Sequence, residues 1–222
     1  PHLSSHLSRS VRAMTAFRAR VVVGGSFLGH TSNRLDYVLQ WDGSKVESVG
    51  GGLDGTVYAL VNFRESLVVA GSFSQLYQSA EAGGLSVVSG GLGLWDGHRW
   101  ELVGGSAVRG TVTCLATAGS HEPGGDSHGH HLLYVAGRFR YVGDVAALNI
   151  AVFNQTSQRW QALGAGLRAR DIYALAVALP ANASANVSGA AGGASGTDEM
   201  HSVFAVGSIS HAGELLLGNV AR

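Results

Sequence analysis

A gapless internal match constrains this 222-residue sequence more than any other feature. Segment 57–73 (VYALVNFRESLVVAGSF) aligns with segment 11–27 (VRAMTAFRARVVVGGSF) without an insertion. Two further copies are each split by extra residues, and their halves are 112–119 with 132–139 (VTCLATAG, LLYVAGRF) and 172–179 with 202–209 (IYALAVAL, SVFAVGSI). A repeat of roughly 50 residues indicates stacked supersecondary units that share one core.

Each unit is predicted to form four antiparallel strands. In the first copy, short apolar runs such as VRAMTAF, VVVGGSF and YVLQW alternate with turn residues, which is typical of strands. Asp42-Gly43 follows the third run, and Asp96-Gly97 repeats it in the second copy. Asp-Gly between two strands favours a type I′ hairpin, in which φ is positive at both central residues.

The runs VVVGG, LVVAG and LLYVAG are apolar at successive positions, so both faces of these strands are expected to be buried. A sheet covered on both faces by copies of itself favours an all-β fold, a β-propeller of four-stranded antiparallel blades. After an N-terminal extension at 1–9, the chain at 10–222 is expected to supply about three and a half blades. Their predicted bounds are 10–53, 54–108, 109–168 and an incomplete 169–222. We therefore expect a segment of a longer polypeptide, which is also consistent with the missing initiator Met.

The bulk composition excludes several classes of partner. Fifteen basic and fifteen acidic residues give a net charge of zero, so no nucleic-acid partner is predicted. No apolar run is long enough to span a bilayer, and residues 1–10 (PHLSSHLSRS) lack the apolar stretch of a signal peptide. Any membrane attachment is expected through an anchor outside this segment. One cysteine, Cys114, cannot form an internal disulfide.

The motifs LVVAGSF, WDG and GTVYAL together resemble a Kelch-like superfamily with propellers of the galactose-oxidase type. Within it, the chain is most similar to the ectodomains of the fungal cortical cell-polarity marker family, over residues 10–222. The resemblance implies an extracellular or cell-surface, noncatalytic propeller. The third unit departs from the motif, because FNQTSQRW stands where the WDG pattern is expected.

Histidines concentrate in the segment HEPGGDSHGHH. Zinc and copper favour imidazole ligands, so this segment is a candidate metal site, although its spacing fits no fixed motif and independent solvated histidines are the alternative. No cofactor is predicted. The candidate ligands are His121, His128, His130 and His131.

Two other sets of residues are interpreted as core. Cys114 invites comparison with the cysteine crosslinked to tyrosine in galactose oxidase, but it aligns with Ala13, Ala59 and Ala174 and is predicted to be a small buried strand residue. Aromatic residues at fixed repeat positions are predicted to pack between blades rather than to bind sugar. These are Trp41, Trp95 and Phe153 at one position, and Trp100 and Trp160 at another.

No nucleophile elbow, phosphate loop or pair of catalytic carboxylates is present, so no enzymatic activity is predicted. Three glycosylation sequons fall in predicted loops or turns, as expected for a secreted glycoprotein. Their asparagines are Asn154, Asn182 and Asn186.

The second unit carries an apolar insertion in 74–91, between its second and third strands. Its apolar residues have no predicted place in the repeat core, so they are candidates for binding a protein partner, unless the insertion folds back over a neighbouring blade. They are Leu76, Tyr77, Leu85, Val87 and Val88. The predicted function is a scaffold for protein–protein interactions in cell polarity or surface organisation, which binds a protein partner or the remaining blades. The alternative is part of a carbohydrate-active or copper-oxidase-like propeller enzyme.

Overall fold

The computed structural model describes residues 10–27, 37–79, 83–119, 132–178, 202–212, 215–216 and 220–221. These residues form antiparallel β-sheets, as the sequence predicts, with a short 3₁₀ turn at Val103–Gly105. Strands are numbered below in chain order.

The first sheet is a meander of four strands, each paired with the next in the chain. They are β1 (Val11–Phe17), β2 (Arg20–Gly25), β3 (Val38–Trp41) and β4 (Val46–Ser48). The second sheet keeps this order but carries an inserted hairpin between its second and third strands. Its strands are β5 (Val57–Phe63), β6 (Ser66–Gly71), β9 (Leu92–Trp95) and β10 (Trp100–Glu101), and the hairpin is β7 (Gln75–Tyr77) with β8 (Ser86–Val88).

The third and fourth sheets begin with longer strands that carry additional short pairings at one end. The third contains β11 (Val108–Ala118), β12 (Leu132–Val142), β13 (Val145–Ala146), β14 (Ile150–Asn154) and β15 (Arg159–Ala162). The fourth contains β16 (Leu167–Ala178), β17 (Ser202–Ala212), β18 (Leu215–Leu216) and β19 (Val220–Ala221), and both short strands pair with β17.

The turn between the third and fourth strands depends on a side chain rather than on type I′ geometry. Oδ1 of Asp42 accepts hydrogen bonds from the backbone N–H groups of Ser44 (2.8 Å) and Lys45 (2.7 Å). Gly43 has a φ of 102°, whereas Asp42 and Ser44 have no positive φ, so the predicted type I′ turn is wrong. Asp96 and Asn154 accept equivalent backbone bonds in the next two sheets. The first three sheets therefore share an Asx turn between the third and fourth strands.

The sheets stack face to face in chain order, and the two middle sheets bury both faces. Val69 packs in the cluster between the first and second sheets, while its neighbour Val68 packs in the cluster between the second and third. Ala136 and Ile150 of the third sheet join Ile172 of the fourth in another cluster. Complete burial of a Val, Leu or Ile side chain contributes about 1.5–3 kcal/mol, so these interfaces account for the apolar runs.

The repeated aromatic residues pack as the sequence predicts, with one exception. Trp95 and Trp100 are buried with ring centroids 5.1 Å apart, and Phe153 and Trp160 form the same pair at 5.2 Å in the third sheet. The ring of Phe153 also meets the edge of Phe63 from the second sheet. In the first sheet, the corresponding Trp41 is only half-buried.

The first strands β1, β5, β11 and β16 are neighbours along one side of the stack. Nδ2 of Asn62 on β5 donates to the carbonyl of Ala16 on β1 at 2.7 Å. The hydroxyl of Thr113 on β11 donates to the carbonyl of Ile172 on β16 at 2.7 Å. Side-chain-to-backbone hydrogen bonds therefore link the first strands at two of their three boundaries.

The buried side chain of Asn149 joins the third and fourth sheets. Its Oδ1 accepts from the N–H of Phe139 at 3.2 Å, and its Nδ2 donates to the carbonyl of Leu167 at 2.8 Å. Its φ of 64° lies in the left-handed region, which asparagine tolerates better than most residues. Asparagine thus satisfies the backbone conformation and both buried partners together.

We expect Asn149→Ala to lower the free energy of unfolding by about 2–4 kcal/mol, because it leaves the Phe139 N–H and the Leu167 carbonyl without partners. Asn62→Ala is the matched control, since Asn62 makes one exposed hydrogen bond, and it should cost about 1 kcal/mol or less. Urea denaturation followed by tryptophan fluorescence measures both. Equal losses would contradict this role of Asn149.

Candidate functional site

Each first strand carries one extra residue at the same point of the repeat. The pairing between first and second strands shifts between Val11 and Ala13, and it shifts at the matching position in the other three sheets. A β-bulge leaves one residue out of the ladder and turns its side chain in a new direction. The residues so placed are Arg12, Tyr58, Thr113 and Tyr173.

The four bulge residues line one open cavity of about 580 Å³. The guanidinium of Arg12 lies 5.3 Å from the centre of the Tyr58 ring, a cation–π geometry. The Tyr58 hydroxyl accepts a hydrogen bond from Ser72 at 3.5 Å, and the Tyr173 hydroxyl lies 3.3 Å from that of Ser208. We call the end of the sheets that carries this cavity the cavity rim, and the end with the Asx turns the turn rim.

A glycine of each second strand, opposite the bulge, makes the bulge possible. A Cβ on Gly71 would overlap the carbonyl oxygen of Thr56, and a Cβ on Gly207 would overlap that of Asp171. The first strand therefore approaches so closely that only glycine fits. This glycine recurs in every unit of the repeat and was the sequence signal that could have predicted the bulges.

The cavity is lined by charged and hydroxyl groups that can bind a ligand. Arg138 and Asp171 line it with the hydroxyls of Thr and Tyr residues, and the carboxylate of Asp171 lies 3.8 Å from the guanidinium of its neighbour Arg170. Within the described ranges, no three His, Cys, Asp or Glu side chains are grouped so as to hold a metal ion. The chemistry available here is hydrogen bonding, charge pairing and aromatic contact.

Cys114 is buried, as predicted, and its thiol donates to the carbonyl of Ile172 at 3.4 Å. Burial raises the pKa of Cys114, which keeps it a thiol rather than a nucleophilic thiolate. The prediction that this position is buried in every unit is wrong for the other three units. Ala13 and Ala59 are half-buried, and Ala174 is exposed because its side of the fourth sheet faces away from the third.

The apolar insertion forms a hairpin and is partly core, so the expectation that its residues have no place there is wrong for two of them. Leu76 is fully buried against the first sheet, where it bridges Leu53, and Val87 packs on the same cluster. Tyr77 is half-buried. Leu85 and Val88 are exposed, at 76% and 67% of their surfaces. The hairpin follows the end of β6, so these two residues lie on the cavity rim.

Asp54 holds the base of this hairpin. Its Oδ1 accepts from the backbone N–H of Ser74 at 2.7 Å and of Gln75 at 2.9 Å, and its Oδ2 accepts from the Ser74 hydroxyl. Partial burial alone would raise the pKa of Asp54, but these hydrogen bonds to the carboxylate outweigh it and lower the pKa. The position of Leu85 and Val88 therefore depends on an ionised Asp54.

The remaining candidates divide between described and undescribed residues. Asn154 lies in an exposed turn, where its Oδ1 accepts from Thr156 and Ser157 and its Nδ2, the atom that carries a glycan, stays outside these bonds. The other candidates lie outside the described residues, and they are His121, His128, His130, His131, Asn182 and Asn186.

No protein-family model matches the chain, and no significant match is found among curated proteins. In the part of the chain that the structure describes, no helix has the length and hydropathy needed to cross a membrane.

We expect Asp54→Asn to destabilise the protein at pH 7 by no more than about 1 kcal/mol, because Asp54 is only partly buried and solvent screens its interactions. The folded-state pKa is lowered, so this contribution is present above the unfolded pKa of about 3.9 and is lost as the pH falls through the folded pKa. The difference between wild type and variant should therefore shrink below about pH 4. Urea midpoints at both pH values measure it.

Asp144→Asn is the control for a general charge effect, since Asp144 is exposed and makes no hydrogen bond or ion pair with described residues. It should leave the urea midpoint unchanged at pH 7. A loss of stability in Asp54→Asn that stays constant from neutral to acid pH would contradict the role of the carboxylate.

Proposed function

We propose that the four sheets are blades of a β-propeller, of the Kelch-like kind that the repeat motifs resemble. Two features support this architecture. Successive sheets cover each other's faces, and the first strands lie together along one side of the stack. In a propeller the first strands line a central channel, where the bulge residues would meet.

We further propose that the chain is a noncatalytic scaffold for protein–protein interaction, with its partner on the cavity rim. The observation that carries this proposal is the convergence of Arg12, Tyr58, Thr113 and Tyr173 in one cavity. All four sheets have a bulge at the same register, so these four side chains project from equivalent positions. Arginine and tyrosine are the residue types that dominate binding energy at protein interfaces.

The exposed apolar residues of the hairpin, Leu85 and Val88, extend this surface on the same rim. The turn rim, in contrast, carries the polar Asx turns and the sequon of Asn154, which suits solvent and a glycan. A cell-surface or extracellular location and a role in cell polarity or surface organisation follow from the resemblance. Membrane attachment, on this proposal, uses an anchor outside the segment.

The propeller proposal predicts that the outer face of the fourth sheet packs against another sheet. Val206 is 44% exposed on that face, opposite to the buried Ala205. The isolated chain should therefore self-associate in size-exclusion chromatography with light scattering. Val206→Glu should weaken this association about tenfold or more, because the charge would be buried at the contact.

Val88→Glu is the matched control, since Val88 is exposed on the cavity rim and away from that face. It should leave self-association unchanged. A chain that is monomeric at every concentration, or equal effects of the two substitutions, would contradict stacking on this face.

The scaffold proposal is tested by site-specific photocrosslinking in extracts of the source organism. A benzoylphenylalanine in place of Tyr173 should form protein adducts that excess unlabelled protein suppresses. The same group in place of His98, an exposed residue of the turn rim, should form none. Adducts at position 98 but not at 173 would place the partner on the opposite rim and overturn the proposal.

A further inference from the structure

A second cavity, of about 760 Å³, opens between the third and fourth sheets and is lined by arginines. We call it the arginine cleft. Tyr141 and Ser210 also line it, and none of its lining residues is acidic. The arginines are Arg109, Arg138, Arg140 and Arg168.

Strand geometry places these side chains on the cleft. Arg138 and Arg140 flank the buried Phe139 on β12, so both project to the side opposite to the core. Arg168 on β16 of the fourth sheet also lines the opening. Arg109 lies on β11 at a second register shift, where it faces Arg140 and Tyr141 of β12. Three strands from two sheets therefore direct positive charge into one opening.

The four arginines make no ion pair within the described ranges, whereas three other arginines lie beside carboxylates. Arg20 pairs with Glu47 at 3.0 Å, and Arg99 and Arg170 also lie beside carboxylates. None of the cleft arginines makes an ion pair or a side-chain hydrogen bond with described residues. Like charges at close range repel, so an anion in the cleft would relieve an unfavourable interaction. The net charge of the chain is zero, so this excess is local.

The floor of the cleft is fixed by the hydrogen bonds of Asn149, which lines the cleft and joins the two sheets. The backbone adds bonds from Asn149 N–H to the Phe139 carbonyl (3.0 Å) and from Leu167 N–H to the Leu148 carbonyl (2.9 Å). The strands that carry Arg138, Arg140 and Arg168 are therefore held in register. The spacing of these charges is therefore fixed before a ligand binds.

We propose that the arginine cleft binds an extended acidic segment of a protein partner, with carboxylates at alternate positions. This assignment rests on the proposed role as a protein-binding scaffold and names its partner's chemistry. Residues two apart on a strand are separated by about 6.6–7 Å, which is the spacing of Arg138 from Arg140 along β12. Alternate side chains of an extended peptide share one face and repeat at the same distance.

The side chains suit this ligand in other respects. A guanidinium can hold a carboxylate through two parallel hydrogen bonds, which orients the peptide as well as attracting it. Tyr141 is 46% exposed beside the arginines and offers an aromatic surface to the peptide backbone. A single inorganic anion would engage one or two of these arginines and leave the others unpaired.

The test uses a dye-labelled peptide that alternates glutamate with threonine, and fluorescence anisotropy with the full chain at low salt. Arg140→Gln and Arg168→Gln should each weaken binding about two- to fivefold, as expected for partly exposed ion pairs. Arg159→Gln, on the outer strand β15, is the matched control for net charge and should leave the affinity unchanged. A peptide of the same composition with its glutamates in one block should bind more weakly.

Several outcomes would overturn the proposal. These are equal binding of the alternating and block peptides, equal loss in the Arg159→Gln control, or binding of inorganic phosphate or a sulfated polysaccharide without the peptide. Unchanged urea midpoints in the variants exclude unfolding as the cause of lost binding. If the wild-type chain fails to bind the peptide but still gives the Tyr173 crosslinks, this inference is rejected and the scaffold proposal stands.

Discussion

The close approach of the first strand to a glycine of the second is the constraint on which the bulge cavity depends. A side chain on Gly71 or Gly207 would overlap a carbonyl oxygen of the bulged strand, so the bulge and the glycine require each other. The bulge takes one residue out of the alternation between core and solvent. Because the repeat places it identically in four sheets, four such side chains reach one cavity. The packing of each hairpin thus determines which side chain of the first strand reaches the cavity.

The stacking of the sheets holds these four side chains in fixed positions. Neighbouring residues such as Val68 and Val69 belong to different interfaces, so each middle sheet is fixed from both sides. Polar links are few and specific, and Asn149 and Thr113 each bridge a sheet boundary with a side-chain-to-backbone bond. Apolar contacts hold the sheets together but are not directional, whereas these hydrogen bonds determine how the sheets align.

The sequence predicted the strands, the turn positions and the aromatic pairs, and it missed the bulges and the contacts between units. The meanders, the positions of the repeated turns and the aromatic pairs could be predicted because each depends on residues close together in one unit. The burial of Leu76 could not, since the residue that covers it, Leu53, belongs to the neighbouring unit. The bulges were missed because one extra residue breaks the two-residue period from which strands are recognised. The arginine cleft was missed because Arg109, Arg140 and Arg168 meet only through the stacking of two sheets.

The departure of the third unit from the repeat explains how the two cavities are related. Ser72 and Ser208 follow the second-strand glycines of their sheets, whereas Arg138 takes this place in the third. Arg138 lines both the bulge cavity and the arginine cleft, so one substitution within the repeat joins them at a shared charge. Replacing a small hydroxyl by a guanidinium leaves the core intact, because the position faces away from it. A repeat of this kind can therefore hold its fold constant while a single rim position changes what the surface recognises.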